Sequence, residues 1–218
     1  MFSGWPRAAL DFFAGLEVDN SRDYFQANRA VYDEAVKAPF LELSAIVERE
    51  FGPLHLFRPH RDVRFSRDKS PYKTAAGAVT EGRGGTAYYA QISAEGLMVA
   101  SGYYMPTADQ LERWRAAVDD RAGASLLRAV DALRARRYEV GAHDTLKTAP
   151  RGYSKAHPRI ELLRMKGLTV GRRFAPAGWL HTGAALNRIL TVWRDAAPVN
   201  SWLDRHVGPS TNPPREPS

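Results

Sequence analysis

Thr86-Ala-Tyr-Tyr-Ala-Gln-Ile-Ser93, Ala94-Glu95-Gly96 and Leu97-Met-Val-Ala-Ser-Gly-Tyr-Tyr104 form the stretch that decides the fold class. Two runs rich in Tyr, Val, Ile and Met, joined by a short turn ending in glycine, read as a β-hairpin. Ala75 to Thr80 is a third strand, connected through Gly82-Arg83-Gly84-Gly85. That loop lacks the Gly-Lys-Ser/Thr ending and following helix of a phosphate-binding loop, so it reads as a hairpin connection.

Outward from these strands the apolar spacing becomes helical. Upstream, helices are predicted over Arg7 to Leu16 and Gln26 to Val36, the latter with Asn20 or Ser21 as N-cap and Asp23 in the first turn. A third starts at Pro39, buries Phe40, Leu43, Val47 and Phe51, and stops at Gly52-Pro53. Downstream, Ala108 to Asp120 and Ser125 to Arg137 are helical, Tyr138 to Val140 a short strand, Gly167 to Phe174 a strand and Gly178 to Asp195 a helix. The expectation is a single α+β domain over residues 1–207, a mostly antiparallel sheet flanked by helices. Residues 208–218, rich in proline, are expected to be a disordered tail.

Composition excludes several classes of chemistry. With no cysteine there is no disulfide framework, thiolate zinc site or cysteine nucleophile. The six histidines are scattered without short ligand spacing, so neither a metal nor another cofactor is expected. Met1-Phe-Ser-Gly-Trp-Pro-Arg7 lacks the regions of a signal peptide. The longest weakly polar run, Gly96 to Pro106, is far shorter than the roughly 18–20 residues that span a bilayer. A cytoplasmic protein with no membrane partner is the expectation.

The charge is distributed unevenly. Six of the 31 Lys and Arg residues are lysines, and five of those six lie in segments 58–73 and 147–166. The segments carry net +4 and +5 against +7 for the chain, so the remainder is slightly negative. Lysine is a compact point charge with a tunable pKa, whereas arginine is a fixed planar fork. In the first segment, Arg61 to Ser66 alternates as a strand does and leads into a loop broken at Ser70-Pro71. In the second, a lysine, a proline turn, an arginine and a tyrosine recur, and His157-Pro158 opens a short helix.

Arg61-Asp-x-Arg-Phe-Ser-Arg-Asp-Lys-Ser-Pro-Tyr-Lys-Thr74 and Leu146-Lys-x-x-Pro-Arg-Gly-Tyr-x-x-x-His-Pro158 resemble the two signatures of an uncharacterised, mostly bacterial family, domain of unknown function 2461. Asn20-x-Arg22-Asp-Tyr-Phe25 and Leu163-Arg-Met-Lys-Gly167 fit it as well. The resemblance implies a single α+β domain and carries no activity, cofactor or catalytic residue with it.

The residues themselves point to an anion. Arg61, Arg64, Ser66, Arg67, Lys69, Tyr72 and Lys73 from the first segment, with Lys147, Arg151, Tyr153 and Lys166 from the second, are the candidate ligand-binding set. Such donors suit a small phosphate- or carboxylate-bearing ligand. Lys69, Lys73 and His157 are the candidates for catalysis, with enzyme and binding protein both open. Two alternatives stand beside this reading. One is a nucleic-acid partner lying along the basic segments, with tyrosines as stacking faces. The other is a purely structural role, the cations pairing with neighbouring Asp and Glu.

Overall fold

The computed structural model describes residues 2–62, 64, 68–81 and 85–211. Helix α1 (Arg7–Val18) buries Ala9, Leu10, Phe12, Phe13 and Leu16. Helix α2 (Arg22–Ala27) is capped by Ser21, whose Oγ accepts from Tyr24 N at 3.1 Å. The helix predicted over Gln26 to Val36 therefore begins earlier, and it is interrupted at Asn28. The Asn28 side-chain amide donates to Tyr24 O at 2.9 Å and competes with the helical backbone. Beyond it, α3 (Arg29–Val31), a π-helical turn (Tyr32–Lys37) and α4 (Ala38–Phe51) run on without a break. Pro39 does not start a separate helix. It has no N–H and its ring crowds the preceding turn, and the widened turn before it absorbs both effects.

The strands are β1 (His55–Leu56), β2 (Ala75–Glu81), β3 (Ala87–Ser93) and β4 (Gly96–Tyr103). After helices α5 (Ala108–Asp119) and α6 (Ala122–Ala135) come β5 (Glu139–Gly141), α7 (Ile160–Arg164) and β6 (Leu168–Phe174). A 3-10 turn (Gly178–His181), α8 (Ala184–Asp195) and α9 (Ala197–His206) complete the order. The antiparallel sheet runs β1-β2-β3-β4-β6-β5, which gives the α+β class expected from the hairpin. The β3–β4 turn ends at Gly96 with φ +108, where a Cβ would stand 2.2 Å from Phe174 O.

Two sequence expectations are corrected. Arg61 and Asp62 are not in a strand and Arg64 sits at a bend; the rest of the expected strand, Val63, Phe65 and Ser66, lies outside the described residues. Among the described residues of that segment, pairing is between His60 and Tyr72. The helix predicted from Gly178 is a 3-10 turn followed by α8. Helix α9 lies beyond the elements expected from sequence; its Pro198 occupies the first turn, where a missing N–H costs nothing.

The chain forms two compact units. The first comprises residues 1–80, 88–99 and 173–192. Its centre is aromatic: Phe12 lies within 5.9 Å of Phe13, Tyr24, Phe25 and Tyr32, ring centre to ring centre. The second comprises residues 81–87, 100–172 and 193–218. Here buried tryptophans keep their N–H groups bonded: Trp114 donates to Leu162 O, Trp193 to Ala100 O and Trp202 to Ala122 O, all at 3.0–3.1 Å. Of the tail expected from Gly208, Gly208–Thr211 lie against α5: Gln110 Nε2 donates to Gly208 O, Arg113 Nη2 to Pro209 O, and Thr211 N to Asp109 Oδ2. Residues 212–218 lie outside the described residues. No helix among the described residues is long and apolar enough to cross a membrane.

Candidate functional site

In the first unit, segment 58–73 folds back on itself. His60 and Tyr72 face each other as an antiparallel bridge, Arg61 N donates to Pro71 O at 2.8 Å, and Lys73 N donates to Pro59 O at 2.9 Å. Asn20 clamps this base: its Oδ1 accepts from Tyr72 N at 3.0 Å and its Nδ2 donates to Tyr72 O at 3.1 Å. The Tyr72 ring is 3% exposed and stacks on Phe25, 4.2 Å between centres and 4° between planes. Tyr72 is thus built into the aromatic core rather than standing in an open loop.

The cations at this base fall into two groups. Arg64 grips Asp62 through Nε and Nη2, and these bonds hold the Asp62 carboxyl down at about 2. Arg61 Nη1 sits 2.5 Å from Asp68 Oδ2, while bonds from Ser70, more than Arg61, lower the Asp68 pKa. Arg61 Nε is buried and has no hydrogen-bond partner among the described residues. Lys73 is held by a main-chain carbonyl: Nζ lies 3.1 Å from Arg58 O and 5.4 Å over the Phe57 ring. Burial, then the charges of Arg58 and Arg61, push the Lys73 ammonium below the usual lysine value. Lys69 is exposed. Ser66 and Arg67 lie outside the described residues.

Segment 147–166 belongs to the second unit. Lys166 Nζ pairs with Asp144 Oδ2 at 2.6 Å, beside a Thr145–Met165 bridge. Arg159 closes the C-terminus of α5: Nε donates to Val118 O at 2.6 Å, and Nη2 to Asp119 O and Asp120 O at 2.6 and 3.2 Å. A cation on the last free carbonyls of a helix is favourable for both hydrogen bonding and the helix dipole. Arg159→Met is expected to cost about 1–3 kcal/mol in urea unfolding, because it leaves these carbonyls without their charged donor.

His157 has both ring nitrogens engaged. Nδ1 accepts from Arg159 N at 3.0 Å, which leaves Nε2, 3.0 Å from Asp119 Oδ1, to carry the proton. Both nitrogens thus have protein partners. Tyr153 is half-buried, and burial followed by the Asp119 charge raises its phenol pKa. Lys147 and Arg151 are exposed. Among the described residues no cluster of three or more His, Asp or Glu side chains could hold a metal ion.

Sequence reading overlooked two residues of the first unit's site. Arg58 supplies the carbonyl and a charge beside Lys73, and Asn20 holds the base of the loop. Asn20 was read as a helix cap and as part of a family pattern; nothing local reveals a contact made 52 residues away.

Fold and site together define an α+β protein with a cation-lined, core-anchored loop base. The chain belongs to the family described as conserved hypothetical protein (DUF2461), whose model matches residues 8–202 and so takes in both basic segments. No curated protein and no solved structure matches it.

Proposed function

We propose that the protein binds a small phosphate- or carboxylate-bearing ligand at the loop base formed by Arg58, Arg61 and Lys73. One observation carries this reading: the Lys73 ammonium is half-buried beside two guanidinium charges, and its hydrogen bond is to a carbonyl rather than a carboxylate. Like charges brought together at the cost of hydration are relieved by an anion. Arg61 keeps its Nη1 ion pair with Asp68 in this reading, while Arg64, Arg159 and Lys166 are spent on protein acceptors and belong to the scaffold. Arg67, Lys69, Lys147 and Arg151 are not needed for it.

The test is thermal unfolding with phosphate, sulfate, nucleotides, polyphosphate and short DNA, for the natural chain and for Lys73→Met. A small anion at about a hundred times its Kd should stabilise by about 2.7 kcal/mol, and Lys73→Met should remove that gain. Stabilisation only by polyanions, fading steeply with salt, would favour the nucleic-acid reading instead. No stabilisation by any anion would leave the basic segments a purely structural role.

A further inference from the structure

Lys73 stands apart from the other lysines in its surroundings. Lys69, Lys147 and Lys155 are exposed, and Lys166 is locked to Asp144 at 2.6 Å. Lys73 Nζ instead lies over the Phe57 ring face, donates to the Arg58 carbonyl, and has the Arg58 and Arg61 charges beside it. Its own main chain is fixed by Lys73 N bonding to Pro59 O, next to the Asn20 clamp on Tyr72. The half-buried amine is therefore anchored at its backbone and tip, and the charges of Arg58 and Arg61 act on it.

We infer that Lys73 is a nucleophilic amine that condenses with the carbonyl group of an anionic aldehyde or ketone, while Arg58 and Arg61 hold the ligand's negative group. This deepens the anion-binding reading and rests on it. The chemistry needs no other group. The neutral amine's lone pair attacks the carbonyl carbon, and the nitrogen gives up a proton as the carbonyl oxygen takes one. The resulting carbinolamine loses that oxygen as water and forms a C=N bond, so amine plus carbonyl gives imine plus water. Burial, and after it the charges of Arg58 and Arg61, enlarge the neutral fraction of the amine, and those cations also raise the local concentration of an anionic partner. The charge requirement is shared by carboxylates and phosphates, so both classes of carbonyl compound belong in the test.

The experiment uses the full chain with glyoxylate, and separately pyridoxal phosphate, each followed by borohydride. Borohydride delivers hydride to the imine carbon and leaves a stable secondary amine. Peptide mass mapping should place the adduct on Lys73 at least tenfold above each of the other lysines. The neutral analogues glycolaldehyde and pyridoxal should lose that preference. Arg58→Ala should reduce it severalfold, and Lys73→Arg should abolish the adduct while anion stabilisation persists. Adducts spread over Lys69, Lys147 and Lys155, or equal labelling by neutral and anionic aldehydes, would overturn the inference. If anions stabilise the natural chain and Lys73 stays unlabelled, only the covalent step falls. If neither occurs, the anion site falls with it.

Discussion

Tyr72→Ala is expected to lower stability by about 3–5 kcal/mol, the usual loss for removing a buried aromatic ring. The ring is 3% exposed, is stacked on Phe25, and lies 5.0 Å from His60 across the bridge that closes the loop base. The cavity would open where segment 58–73 joins the aromatic centre of its unit. Anion stabilisation should therefore disappear along with the lost stability, although no charge has been altered. Urea unfolding with and without phosphate reads both effects. Tyr72→Phe is the decisive companion. It keeps the ring and the stack, so stability should fall by less than about 1 kcal/mol and anion binding should survive. A Tyr72→Phe variant that folds normally but no longer responds to anions would show that the hydroxyl takes part in holding the ligand.

Gly102→Ala is expected to cost roughly 3 kcal/mol or more, from backbone strain and collision together. Gly102 has φ +132, and a Cβ there would lie 2.2 Å from Leu168 O and 3.0 Å from Thr169 Cα. Both atoms are main chain of β6, the neighbour of β4 in the sheet, so neither can rotate away as a side chain would. Relief requires parting the strands. For a chain of this size each kcal/mol shifts the midpoint by about 2–4 °C, so a fall of roughly 6 °C or more is expected in thermal unfolding. Gly141→Ala in β5 is the control: nothing lies within 4 Å of its Cβ position, and the midpoint should stay within a degree or two. Equal behaviour of the two variants would mean that the β4–β6 approach is looser than described.

The reach of local sequence patterns explains which features were legible. The hairpin at Ala94-Glu95-Gly96 was readable because a tight turn is set by adjacent residues, and β3 and β4 flank it as expected. Helix α4 was readable on its buried face, where Phe40, Leu43, Val47 and Phe51 follow helical spacing. Its start was not, because the π-helical turn ahead of Pro39 depends on what the preceding helix already does. The strand assigned to Arg61–Ser66 is not formed at its described residues Arg61, Asp62 and Arg64, because alternation of charged and apolar residues does not show whether a neighbouring strand is there to pair with.

The sequence by itself determined the class of the fold and the places where lysine is concentrated, since periodicity, turn residues and composition act over a few neighbouring residues. It could not decide what each basic or aromatic side chain does. Arg61 turning to Asp68, Arg159 closing α5, His157 held between Arg159 N and Asp119, and Asn20 grasping Tyr72 are contacts that only the folded chain creates. The same is true of Lys73. Its residue type was visible from the start, but its lowered pKa comes from burial and from Arg58 and Arg61, which tertiary packing brings to its side.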